Sequence, residues 1–159
     1  IRRRPPPDTA PVHAKAAGLY MICTMSKHEA EAAGCDDALM LDWKGRVAEG
    51  TGANIFVMFG DGKIITPPPE CFLNGITRQT VMELAAKRGI EVIERHMEPE
   101  ELADAEEIFV TGTAAEVTPV GRIDDMSFKV GAITKTLRAD YEALVGRPDQ
   151  ETEGAVSAA

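Results

Sequence analysis

Four short stretches carry residues able to take part in chemistry. Glu49 is followed by Gly50-Thr51-Gly52-Ala53-Asn54 and an apolar run from Ile55 to Phe59. Glycines at that density let a backbone turn sharply and approach a ligand, and a carboxylate at the mouth of such a turn can be held for one partner. A hairpin link with a solvated Glu has the same signature. Lys15 lies among Ala14, Ala16, Ala17 and Gly18. Small neighbours leave room for a bulky adduct, and a lysine desolvated there loses its proton more easily and can form a Schiff base. An ordinary surface lysine is the alternative. Tyr20 follows closely enough for its hydroxyl to approach the Lys15 amine if both face a pocket; otherwise it is a core tyrosine.

The other two stretches suit anions. Gly75-Ile76-Thr77 opens a helix, whose first N–H groups have no internal acceptor and point along its positive end. A phosphate placed there accepts those bonds. Thr77 adds a hydroxyl, and as an N-cap it would need no ligand. Thr111-Gly112-Thr113-Ala114-Ala115 follows a strand, so its successive N–H groups can face an anion past small side chains. A plain turn between strands is the alternative. Glu116, next in line, is expected to point elsewhere. If these stretches act together, Lys15, Glu49, the helix start near Ile76 and the Gly112-Thr113 turn must converge on one cleft. His13, His28 and His96 lack metal-ligand spacing, so no metal site is expected. No hydrolase-type nucleophile motif is present.

The elements that must position these groups follow from periodicity and punctuation. Residues 1–12 are extended or loop, because Pro5 to Pro7 forbid helix. Leu19 to Ala33 has helical period, with Leu19, Ile22, Cys23, Met25 and Ser26 on one face and Gly34 as its stop. Strands are expected at 38–41, at 47–48 and 55–59 on either side of the Glu49 turn, and at 63–66, with turns at Asp42–Gly45 and Asp61-Gly62. Pro67 to Pro69 break the sheet. A helix runs from Thr77 to Arg88 and stops at Gly89. Then come a strand at 90–94, a short helix at 98–103 opening at Pro99, strands at 106–111 and 116–123, and a last helix over 132–144. Residues 146–159 lose the apolar period and read as a mobile tail.

Composition sets the class. The chain has 159 residues, with 44% hydrophobic and 27% charged, which suits one domain with a real core. No apolar run approaches the ~20 residues that span a bilayer, and the basic start lacks an apolar signal core. A net charge of −9 argues against nucleic acid as a partner. Arg2, Arg3 and Arg4 read as a solvated linker. Three cysteines, Cys23, Cys35 and Cys71, fit free thiols in a reducing cytoplasm. A first residue other than Met and a Pro-rich start suggest a C-terminal domain whose N-terminal partner is absent.

Together these stretches resemble the fold-type IV aminotransferases. The quoted runs are Ala14-Lys15-Ala16-Ala17-Gly18 with Tyr20, Ala48 to Phe56, Leu73 to Arg78, and Thr111 to Pro119. They stand in the order and at the separations of that family, across residues 4 to about 145. The resemblance implies an α/β (α+β) fold, the large C-terminal domain of the D-amino acid aminotransferase-like fold, with mixed sheets in a barrel-like arrangement and flanking helices. Residues 1–145 would be the cofactor-binding domain, and the small N-terminal domain would be missing.

The resemblance also implies pyridoxal 5′-phosphate. Lys15 would hold it as an internal aldimine and carry the proton shift, and Tyr20 would bond its phenolic oxygen. Glu49 would pair with the pyridine nitrogen, keeping the ring an electron sink. Gly75, Ile76, Thr77 and Thr113 would hold the phosphate, and Leu73 would pack on the ring. Gly52, Thr113, Ala114 and Ala115 would face the substrate. The Thr111 to Pro119 run is most similar to the branched-chain branch, whose reaction is ping-pong transamination between a branched-chain amino acid and 2-oxoglutarate. Leu19, Ala53 and Asn74 depart from that branch's usual Asn, Glu and Pro. D-amino acid transamination, aminodeoxychorismate cleavage on the same fold, or a non-catalytic fragment are the alternatives. The expected partners are amino acid and 2-oxo acid substrates and further copies of the chain, as a homodimer or higher homo-oligomer, in the cytoplasm, with no nucleic acid and no membrane.

Overall fold

The computed structural model describes residues 2–146 and the backbone of residues 156–158. A single 3-10 turn, Ala17–Leu19, feeds α1, Met21–Ala32. Four strands follow: β1 (Leu39–Leu41), β2 (Val47–Gly50), β3 (Asn54–Met58) and β4 (Ile64–Thr66). Next come α2 (Ile76–Lys87), β5 (Val92–Glu94) and a 3-10 segment, Pro99–Asp104. The chain continues through β6 (Glu107–Gly112), β7 (Glu116–Ile123), β8 (Met126–Ser127), α3 (Ala132–Leu144) and β9 (Val156–Ala158).

The strands lie in the order β1-β2-β3-β6-β7-β8, each antiparallel to its neighbour. β4 pairs with the far end of β3 and runs parallel to β5, so the sheet is mixed. It curls into a half-barrel with flanking helices. Alternation along β3 splits the core in two, as the period of a strand requires. Ile55 and Val57 face Val47, Met97, Leu102, Ile108 and Val120. Phe56 and Met58 face the other way, onto Val81, Leu84 and Ala85 of α2 and Leu137 of α3. Phe56 stands opposite Phe109, and their rings stack at 4.8 Å between centroids. Side chains buried this fully contribute about 1.5–3 kcal/mol each, so the two helices are anchored to the sheet that carries the site.

Several expectations need correction. Glu49 is not in a turn: it belongs to β2, pairs with Met40 and Asn54, and is 6% exposed. The chain reverses only at Thr51 to Ala53, closed by the Gly50 N–H donating to the Ala53 carbonyl at 2.7 Å. Backbone pairing on both sides extends the strand through the first glycine. On α1 the buried residues are Cys23, Ser26 and Ala30, while Met25 is 50% exposed. The three initial arginines are not uniformly solvated, since Arg4 is 1% exposed. Of the expected tail, residues 147–155 and 159 lie outside the described residues. Val156–Ala158 is instead a strand, parallel to β7 at Val120 to Ile123, beyond the last β6 pairing at Pro119. No helix among the described residues is long and apolar enough to cross a membrane.

Candidate active site

Lys15, Tyr20, Glu49 and Leu73 line one cavity of about 320 Å³. Gly75, Ile76 and Thr77 at the start of α2 line it from another side, and Gly52 and Thr113 from a third. Ala114 and Ala115 line an adjoining cavity of about 650 Å³ instead. Tyr20, Gly52 and Ala53 belong to both, so the β2–β3 turn stands at their boundary. Glu116 lines neither, as expected.

The acid is built into the sheet. Pairing of β2 with β1 and β3 fixes the Glu49 backbone, and the buried side chain meets a guanidinium that the sequence reading passed over. Arg4 Nε lies 3.2 Å from Glu49 Oε1. The Arg4 backbone N–H donates to the Leu41 carbonyl at 2.7 Å, which ties the lead-in to β1. Its side chain donates to the carbonyls of Cys71 (3.2 Å) and Leu19 (2.9 Å) and to Cys23 Sγ (3.0 Å). A buried charge is tolerated when partners of this kind take its donors. Burial pushes the Glu49 carboxyl up to about 8, with Arg4 opposing and Asp37 adding to the rise. Burial also raises the Tyr20 phenol; Glu49 adds to this and Arg4 offsets it. Arg4 lies 5.8 Å from the Tyr20 ring centre, so acid, base and phenol share one electrostatic unit.

The anion-binding end is equally specific. Gly75, extended at φ −61° and ψ 145°, is the N-cap of α2, and no side chain caps the helix. Thr77 is therefore not the cap; it lies inside the first turn, 5% exposed. Ile76 and Thr77, whose amides no capping side chain takes, line the cavity at the start of α2, which suits a phosphate or carboxylate. Thr111 lines the same cavity, and its buried hydroxyl has no hydrogen-bond partner. A hydroxyl in that state favours a ligand that supplies one.

Lys15 departs from expectation. It reaches the cavity but is exposed, so its small neighbours do not desolvate it here: they bury nothing around the amine. Three contributors were missed: Arg4, Asn54 and Thr111. Arg4 sits in a run of like residues, and only its unexpected burial distinguishes it. Asn54 and Thr111 stand inside the quoted runs, yet no rule of spacing assigns them a role. Among the described residues no cluster of His, Cys, Asp and Glu could hold a metal ion.

The chain is similar to known proteins in sequence and in fold. The family described as Amino-transferase class IV matches residues 1–123. The branched-chain-amino-acid aminotransferase of Pseudomonas aeruginosa is 42% identical over 144 residues, which cover 88% of this chain and 47% of that one. The crystal structure of a branched-chain aminotransferase from Thermoproteus uzoniensis with norvaline superposes with a TM-score of 0.87 at 42% identity, covering 90% of this chain and 48% of that one. An aminotransferase from Brucella abortus bound to PLP gives 0.85 at 40% identity, covering 91% and 52%. The chain spans about half the length of the curated relatives it matches.

Proposed function

Because this chain belongs to the class IV aminotransferases, we propose that it forms the pyridoxal-phosphate-binding part of an enzyme that exchanges an amino group between a branched-chain amino acid and 2-oxoglutarate. The observation that carries the reading is one cavity shared by an amine, a buried carboxylate and an uncapped helix start. These are the three handles a phosphorylated pyridine aldehyde offers: a carbonyl for the amine, a basic ring nitrogen for the acid, a phosphate for the helix. The unpartnered Thr111 hydroxyl, and the open space beyond Gly52, where an added Cβ meets no atom within 4 Å, fit such a ligand.

Lys15, Tyr20, Glu49, Leu73, Gly75, Ile76, Thr77 and Thr113 would hold it. When bound, pyridoxal phosphate supplies an electron-accepting ring conjugated to the substrate Cα, which is what makes the Cα proton removable. Lys15 would be the amine that carries the aldehyde and, once the substrate amine has displaced it, would move the proton to and from Cα. Glu49 would take the ring nitrogen as partner; Arg4 favours its ionised form against the cost of burial. Tyr20 would bond the phenolic oxygen. The amides of Ile76 and Thr77, with the Thr113 hydroxyl, would hold the phosphate. Gly52 and the turn at Thr113 to Ala115 face the substrate. Ala53 is buried where the two cavities meet. Ile76 and Met21 are 83% and 67% exposed, an apolar rim in keeping with a homodimer or higher homo-oligomer. Three free cysteines accord with a cytoplasmic setting.

Incubation with pyridoxal phosphate, borohydride reduction and peptide mapping tests the reading. The pyridoxyl group is expected on Lys15. A label mainly on Lys27 or Lys135 overturns it.

A further inference from the structure

We propose that Asn54 is a positioning residue that joins the acid of the site to its anion-binding helix, so that the two ends of the ligand are held as one unit. The inference rests on the reading of the cavity as a pyridoxal phosphate site. Asn54 is 5% exposed, and its backbone is fixed between Glu49 of β2 and Thr111 of β6. Its side chain spans the remaining gap. Nδ2 donates to Glu49 Oε2 at 3.4 Å and to the Leu73 carbonyl at 3.0 Å. Oδ1 accepts the Gly75 N–H at 3.2 Å. One amide thus reaches the carboxylate that would face the ring nitrogen, the residue that would pack on the ring, and the N-cap of the helix that would take the phosphate.

The chemistry requires this side chain. Two donors and an acceptor on a short, planar group are what Asn provides. The opposite amide orientation would set a donor against the Gly75 N–H, so the network itself assigns the flip. Aspartate keeps the acceptor but has no donor for Glu49 or Leu73. The junction is also tight: a Cβ added at Gly75 would lie 2.5 Å from Asn54 Oδ1. The acid and the helix start are therefore in register only while both residues keep their place.

Site-resolved amide exchange and cofactor titration on this chain test the brace. In Asn54→Ala the Gly75 amide should exchange about tenfold faster and the pyridoxal phosphate dissociation constant should rise about tenfold, as expected when buried hydrogen bonds are lost. Amides elsewhere in β3 and β6 should keep their protection. Asn54→Asp, which retains the acceptor, should leave the Gly75 amide protected while the affinity still falls. Wild-type values for both quantities in Asn54→Ala overturn the proposal. So does a general loss of protection across β3 and β6, which would make Asn54 only a sheet residue. Should Asn54→Ala not fold, an unchanged affinity in Asn54→Asp overturns it. A wild-type chain that gives no pyridoxyl label on Lys15 overturns the proposed function instead, and the brace falls with it whatever the exchange data show.

Discussion

Arg4 Nε stands 3.2 Å from Glu49 Oε1, with 1% and 8% of their side-chain surfaces exposed. The pair joins the extended lead-in to the second strand of the sheet. Because the guanidinium also holds Leu19, Cys23 and Cys71, it links the lead-in, α1 and the loop before α2 around a single carboxylate. The geometry of the acid is thus set by a residue from the far end of the sequence.

Removing one member of such a pair strands the other. Above about pH 8, where Glu49 is ionised in the folded chain, Arg4→Met should lower the unfolding free energy by roughly 3–5 kcal/mol, the usual loss when a buried pair is broken from one side. Adding Glu49→Gln should recover part of that loss. A double-mutant cycle from urea denaturation measures the coupling; strictly additive losses would mean the two side chains do not interact.

Burial raises the Glu49 carboxyl from its ordinary 4.5 to about 8. The folded chain therefore binds a proton that the unfolded chain releases across that window. Stability should be fully present below about pH 4.5 and fall as pH rises toward 8, with a slope of at most about 1.4 kcal/mol per pH unit. Glu49→Gln should flatten that stretch of the curve. Denaturation midpoints at pH 5, 6, 7 and 8 provide the check, and parallel curves for the two proteins would refute it.

Gly75 has an ordinary negative φ, so its replacement is opposed by space alone. An added Cβ would meet Asn54 Oδ1 at 2.5 Å. Gly75→Ala should therefore destabilise by about 1–3 kcal/mol, as overpacking does. It should also weaken pyridoxal phosphate more than pyridoxal, because the displaced element is the helix start that faces the phosphate. Fluorescence titration with both ligands tests this; equal losses for the two would remove the phosphate from that position.

Much of the frame is legible along the chain. The helix over 132–144 is expected and found at the same residues, because an apolar stripe and a glycine at each end are local signals. The strand at 116–123 is found likewise, and α2 begins and ends within one residue of its expected bounds. The family resemblance is equally local, resting on four short runs read in order. What neighbouring residues could not reveal is which side chains meet. Arg2, Arg3 and Arg4 have like surroundings in sequence, yet only Arg4 is fully buried, because the lead-in bonds to β1 and directs that one side chain at Glu49. Glu49 reads as a turn residue because glycines follow it. It belongs to a strand because two neighbouring strands supply backbone partners. Lys15 reads as desolvated from small neighbours and is exposed. Periodicity and punctuation act over a few residues and determine elements. Burial, ion pairing and the brace at Asn54 depend on strand register and on packing between distant segments, and those contacts exist only once the sheet has closed.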